Sequence, residues 1–379
     1  MSSAHVSSGA ARRKEQTCAE AVVISREVDL AALQSREITT SSQKFERSFI
    51  ESYAKITPVK LIHLGGRAKS SRTKVENIEV CQSRFPWFMW DVLAAPTRRG
   101  VIFVTGYDPR VIVQCLLLRI VGYRAYAFIY DTHRIATSKF HPIKRGLANT
   151  YFAIGFSLAT RLNGWIVLND RFITSSKMKV RYLMIPVGIE DELSPPEDNE
   201  AQEQRCRSFM ISGTLNENNG TRLLLTAFQS IRKPDVELHI YGCGPLSGLV
   251  RSAAEKDSRI KYHGVIPNAH IVSAQRRMTC LIHLRDPKSV TSQYAFPSKL
   301  IEYLVSGTPV LSNIFPGIEG VAQYIIPIES FDGDSISRSM LDFLENRLRV
   351  PDSRLTYERL KEQQSWSRIS REIRQFVAI

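Results

Sequence analysis

Nothing in the 379 residues builds a disulfide framework or a zinc site. The six cysteines, Cys18, Cys81, Cys115, Cys206, Cys243 and Cys280, stand singly, with no C-x-x-C pair and no histidine at zinc-ligand spacing. They read as reduced, mostly buried thiols. Long hydrophobic runs are also missing. The longest apolar stretches, Val111 to Ile120 and Gly146 to Leu162, carry Arg119 and Arg161 in or at their ends. Both fall short of the roughly 20 residues that span a bilayer. Residues 1–20 have no apolar core of the kind a secretory leader carries, and read as a mobile tail. The expectation is a soluble, cytoplasmic chain. Hydrophobic residues make up 43% and charged residues 23%, close to the globular average, which excludes a disordered or coiled-coil chain. At roughly 100–200 residues per domain, the length calls for about two domains.

Acidic residues are scarce in one half only. Residues 1–190 hold 28 basic and 14 acidic side chains, whereas residues 191–379 hold 23 of each. The whole net charge of +14 therefore lies in the first half. A protein that wraps nucleic acid between two lobes would spread its charge over both, so the skew argues for two lobes with different partners and against nucleic acid.

What the chain does have is a regular alternation. Val59 to Leu64, Val101 to Val104, Ala125 to Tyr130 and Trp165 to Leu168 are short apolar runs of the type found in strands buried on both faces. Helix-length segments separate them: Ser42 to Ala54, Asp108 to Val121 and Pro142 to Leu162. The pattern breaks at the acidic, proline-containing segment Glu190 to Gln204 and then restarts. It runs through strands at Ser208 to Ile211, Val236 to Tyr241, Ile260 to Tyr262, Cys280 to Leu284 and Pro309 to Leu311, with helices between them. The predicted fold class is α/β, with two Rossmann-like doubly wound domains facing across a cleft. Their expected extents are 21–190 and 205–379, joined by a linker over 191–204. Leu355 to Val377 reads as one long packing helix crossing between the lobes.

In such sheets ligands bind beyond the carboxyl ends of the strands, which directs attention to strand-end motifs. The densest is Cys280 to Leu311. Pro297 suits a first helical position, and a helix start favours an anion such as a diphosphate. Lys299 in the first turn opposes the helix dipole unless an anion joins it there. Glu302, one turn after Ser298, suits two hydrogen bonds from a vicinal diol. On an ordinary helix the same two residues are a solvated ion pair. Ser212 to Gly220 (SGTLNENNG) offers Gly213 for close backbone approach and Thr214 and Asn219 for phosphate contact, although Gly-Asn loops are commonly plain turns. Tyr241 to Pro245 (YGCGP) reads as a tight turn, because Ser247 occupies the third glycine position of a dinucleotide fingerprint.

In the first half, Asp131 and His133 (YDTHR) follow a strand, as do Gly66 and Arg67. These four are candidates for the acceptor side, with His133 the candidate acid, base or sugar-hydroxyl partner. A strand-end histidine also serves as a structural hydrogen-bonding group. The aromatic run Phe85 to Trp90 neighbours the basic stretch Lys55 to Lys74, a pairing that suits either a membrane interface or ordinary core packing.

With these residues laid out, the chain resembles the GT-B glycosyltransferases of the large family four. The resemblance is strongest from Met210 to Gly317 and extends to Ile185 to Ile189 (IPVGI), similar to the segment that closes the family's first lobe. Phe296 to Val310 matches the pattern F-P-S-K-L-x-E-Y-L-x-x-G-x-P-V of a branch that builds bacterial surface polysaccharides. The resemblance implies a nucleotide-sugar donor as substrate, retaining chemistry, and a lipid-linked or other glycan acceptor. It implies donor ribose binding by Glu302 and a donor-sugar role for His133. No metal motif is present and no cofactor is expected, and the basic first half suits an anionic membrane surface. Tyr294 stands where the family's first motif glutamate belongs, and Thr214 and Asn219 replace its diphosphate-binding Arg and Lys. Arg285 and Lys299 are then the expected cations for the leaving diphosphate. An inactive GT-B binding subunit and a GT-B nucleotide-sugar epimerase are the alternative readings.

Overall fold

In a computed structural model of the protein, residues 21–34, 41–65, 72–83, 87–93, 100–130, 141–195, 207–295 and 297–378 are described. The tail at 1–20 and linker residues 196–204 lie outside them.

The first lobe runs β1 (Ala21–Ser25), α1 (Leu30–Gln34), α2 (Ser41–Ala54), β2 (Val59–Leu64), β3 (Arg72–Val75), β4 (Ile78–Ser83) and α3 (Phe88–Leu93). It continues through β5 (Val101–Thr105), α4 (Pro109–Ile120), β6 (Arg124–Ile129), α5 (Pro142–Ala159), β7 (Gly164–Val167), α6 (Arg171–Ser175) and β8 (Tyr182–Met184). The described strands form one sheet in the order β3-β4-β2-β1-β5-β6-β7-β8. β1 is central, and Ala21 pairs in register with both Val59 and Val101. A strand covered on both faces has no polar side to show, and all five of its residues are buried. One face packs against α1, α2 and the last helix of the chain, the other against α3, α4 and α5. α4 starts where the sequence provides a cap: the Asp108 carboxylate accepts from Arg110 N–H at 2.9 Å and Pro109 follows it.

The edge strand β3 is absent from the pattern of apolar runs. It pairs antiparallel with β4, and its sequence RTKV has no apolar run to announce it. A polar edge is what keeps such a strand from recruiting another chain.

The second lobe comprises β9 (Arg207–Ser212), α7 (Thr221–Ser230), β10 (Val236–Tyr241), α8 (Ser247–Lys256), β11 (Ile260–Gly264), α9 (Asn268–Arg277) and β12 (Cys280–His283). Then come α10 (Val290–Tyr294), α11 (Ser298–Leu304), β13 (Val310–Asn313), β14 (Ile326–Ile328), α12 (Gly333–Leu344), α13 (Ser353–Gln364) and α14 (Trp366–Ala378). Every pairing recorded in this sheet is parallel, in the order β11-β10-β9-β12-β13-β14. That is the doubly wound order, with its reversal between β9 and β12.

The single helix expected over Leu355 to Val377 is two helices. Ser365 between them is extended (φ −63°, ψ 143°), and its neighbours bond to the segment that closes the first lobe. Ile189 N–H donates to Gln364 O at 2.7 Å, and Trp366 N–H donates to Ile189 O at 3.1 Å. This bridging breaks the helix and lets α13 and α14 serve different cores. Tyr357 and Leu360 of α13 pack in the second lobe. Trp366, Ile369, Ile373 and Val377, at helical spacing along α14, are buried in the first. The span 205–379 assigned to the second domain thus ends in a helix whose apolar face belongs to the first lobe's core.

Candidate functional site

Beyond the strand ends at the β9/β12 reversal lies a cavity of about 220 Å³. Three chain segments form its wall: Ile211 to Leu215, Ile282 to Arg285, and Pro297 to Lys299, with Asn219 and Tyr303 completing it.

The first segment is held in shape from below by the YGCGP turn. Gly213 N–H donates to Tyr241 O and Leu215 N–H to Cys243 O, both at 3.0 Å. Gly242 has φ +120°, and a Cβ there would fall 1.9 Å from Gly213 O. Only glycine permits so close an approach of two backbones. Gly213 itself has φ +134° with open space where a side chain would point. The Tyr303 hydroxyl meets Ser212 N–H at 2.6 Å and anchors the end of β9 from α11.

Arg285 is fixed by a residue that the sequence did not single out. Asn313, at the end of the neighbouring strand β13, accepts from Arg285 N–H and donates to Arg285 O, each at 2.9 Å. The Arg285 guanidinium lies 5.7 Å over the Phe315 ring. His283 is a second cavity residue without a sequence signal. Burial, with the charges of Arg285 and Lys299 added, pushes its imidazole down to about 3, so it is neutral at physiological pH. Its Nδ1 pairs with Ser312 Oγ at 3.2 Å.

On α11, Ser298 rather than Pro297 is the first helical residue, with Pro297 in the capping position. Lys299 Nζ donates to Glu302 Oε1 at 2.9 Å, and Gln275 Nε2 donates to the same oxygen at 2.7 Å. Burial works to raise the Glu302 carboxyl. The charges of Lys299 and Lys44 and the two hydrogen bonds outweigh it and hold the group below its usual range. Lys44 lies on α2 of the first lobe, so Glu302 senses charge from across the cleft.

The sequence candidates thus divide into three groups. Gly213, Thr214, Asn219, Arg285, Ser298 and Lys299 surround one cavity, and Glu302 is bonded to it through Lys299. The Asn219 amide, expected to face phosphate, donates to Thr214 O at 2.7 Å and closes its own loop. Tyr294 is not in the cavity wall. It is partly buried and packs against the apolar cluster of the first lobe. Gly66, Arg67, Asp131 and His133 lie outside the described residues.

Across the cleft, the first sheet reverses between β1 and β5. Arg26 and Asp108 follow those strands, and their side chains meet at 2.6 Å. Burial would raise the Asp108 carboxyl, but Arg110, Tyr151 and Arg26 overcome it and hold it far below the usual range.

Residues 206–346 match the family model "Glycosyl transferases group 1". No curated protein sequence matches the chain. Among solved structures, sucrose-phosphate synthase from Thermosynechococcus elongatus is 13% identical with a TM-score of 0.69, covering 95% of this chain and 98% of that one. HepE from Anabaena, in complex with UDP, is 11% identical with a TM-score of 0.67, covering 95% and 99%. A UDP-forming α,α-trehalose-phosphate synthase from Burkholderia xenovorans, in complex with glucose-6-phosphate, is 10% identical with a TM-score of 0.67, covering 94% and 99%. At these identities the likeness is one of fold: two Rossmann-like α/β domains in the GT-B arrangement. The group 1 match falls on the lobe that carries the cavity.

Between the lobes, Arg171 of α6 pairs with Glu319.

Proposed function

We propose that this protein transfers a sugar from a nucleotide-sugar donor to a glycan or lipid-linked acceptor in surface polysaccharide synthesis, with retention of anomeric configuration. The observation that carries the reading is the cavity at the β9/β12 reversal, which gathers Arg285, Lys299 and the Gly213 loop around one space. The group 1 match over 206–346 supports the same reading. HepE, which shares the fold, was solved with UDP.

Departure of a nucleoside diphosphate develops negative charge on its phosphates. Arg285 and Lys299 stand ready to neutralise that charge without a metal ion, and Asn313 removes the freedom of the Arg285 backbone beforehand. Preorganised charge of this kind is worth about 3 kcal/mol per group. Glu302, kept ionised by Lys299 and Gln275, is the acceptor for the two ribose hydroxyls. In the retaining course the acceptor hydroxyl attacks on the face the diphosphate leaves, and a donor phosphate oxygen takes its proton. No side-chain nucleophile is needed, and neutral His283 contributes polarity rather than charge.

The acceptor and the first lobe's net positive charge point to work at the inner face of a membrane. No helix among the described residues is long and apolar enough to cross one. A panel of labelled nucleotide sugars incubated with a membrane extract tests the function. Transfer from one donor to an extractable glycan or lipid supports it. Nucleotide binding without hydrolysis or transfer of any donor would favour an inactive binding subunit, and a changed sugar released without acceptor would favour an epimerase.

A further inference from the structure

The first lobe carries exposed apolar residues on three consecutive helices that share one face of its sheet. On α4, Val113, Leu117 and Ile120 follow i, i+4, i+7 and form one outward stripe, with Ile120 81% exposed. The opposite stripe of α4, including Val111, Cys115 and Leu118, is buried in the core. On the adjoining α5, Ile143, Leu147 and Ile154 also point outward, the first two more than 70% exposed. Trp87 and Trp90, at the start of α3, are each 62% exposed. α3 joins its neighbours where Tyr123 OH donates to Val92 O. α5 lies hard against the start of α4, since a Cβ on Gly155 would fall 1.9 Å from Tyr107 O. The three stripes therefore belong to one packed layer. A helix packed on a sheet needs only its inner stripe to be apolar, so this outer one has no use in the fold itself.

Charge selects the occupant. α4 and α5 contain no acidic residue, while they carry Arg119, Lys144 and Arg145 besides Arg110, which pairs with Asp108. From Asp108 to Asp170 the chain holds eight basic residues and three acidic ones, and α3 adds Asp91. A second copy of this face would bring like charges together. An anionic bilayer offers phosphates to the basic residues and acyl chains to the aliphatic ones, and tryptophan favours the boundary between them.

We propose that the α3–α4–α5 face is a docking surface for an anionic lipid bilayer, lying in the membrane interface rather than crossing it. The inference deepens the proposed function, because it specifies how the lobe opposite the donor cavity meets a lipid-linked acceptor. Leu117→Asp with Ile120→Asp tests the apolar stripe, and Lys144→Glu with Arg145→Glu the charge. Flotation with phosphatidylglycerol-containing vesicles and with phosphatidylcholine vesicles is the readout, alongside light scattering and nucleoside diphosphate binding. The wild type is expected to float with anionic vesicles and not with neutral ones. Each double variant is expected to lose about ten-fold or more in vesicle affinity while retaining nucleotide binding, which shows that it is folded. Unchanged flotation of both variants would overturn the proposal, as would a wild type that forms a dimer which the variants dissolve. Vesicle binding by a wild type that binds no nucleotide would leave the surface standing and refute the donor site.

Discussion

Lys299 Nζ lies 2.9 Å from Glu302 Oε1, one helical turn away on α11. The ammonium lines the cavity, while the carboxylate, also held by Gln275, sits behind it. One helix thus carries a cation in the cavity wall and, a turn later, the carboxylate bonded to it.

Lys299→Ala removes one of the two cations that line the cavity. Turnover with the correct donor is expected to fall about 10²- to 10³-fold, chiefly in kcat. A steady-state comparison with wild type decides it, and near-normal turnover refutes the assignment of Lys299 to the leaving group.

Because the two residues are coupled, their deletions should not add. Lys299→Ala leaves a largely buried carboxylate without its cation, and Glu302→Ala removes that liability. In a double-mutant cycle of unfolding free energies, the pair is expected to lose about 1 kcal/mol less than the sum of the single losses. Strict additivity would show the ion pair to be energetically idle, as many exposed pairs are.

Trp366 opens α14 and is buried in the first lobe, where it touches Gly188. A Cβ on Gly188 would fall 2.3 Å from the indole. Gly188→Ala is expected to destabilise the protein by about 1–3 kcal/mol and to loosen α14 from the first lobe. Urea denaturation and hydrogen exchange of α14 amides measure both effects. Unchanged stability would mean that the segment has room to shift.

Glu46 on α2 is buried. Ser25 Oγ donates to it at 2.5 Å and the Tyr130 hydroxyl bonds to its other oxygen. Burial pushes the carboxyl up to about 7, against the lowering effect of the Ser25 and Tyr130 hydrogen bonds. Between the ordinary glutamate value and 7, the folded protein holds a proton that the unfolded chain has released. Folding is therefore favoured at the acid end of that window and loses about 3 kcal/mol as pH rises through it. Glu46→Gln cannot titrate, so its stability should lack this decline. Chemical denaturation of both proteins from pH 4 to 8 reveals it, and parallel curves would contradict it.

Much of this was written locally in the chain. Buried parallel strands need continuous apolar runs, so β2, β5, β6 and β7 announced themselves, and Pro297, Lys299 and Glu302 lay within a few residues of one another. What could not be read depended on partners distant in sequence. The Asn313 clamp on Arg285 exists only because β12 and β13 pair in register. The break at Ser365 exists only because Ile189 comes back to meet it. The packing of Tyr294 likewise depends on residues of the other lobe, far away in the chain.

The central claim is that the cavity at the β9/β12 reversal receives the diphosphate of a nucleotide sugar. Calorimetric titration of a panel of nucleoside diphosphates into the wild type and Lys299→Ala tests it most directly. One saturable site is expected, weakened about ten- to hundred-fold by the substitution. Absence of binding across the panel, or equal affinity in the two proteins, would contradict the account.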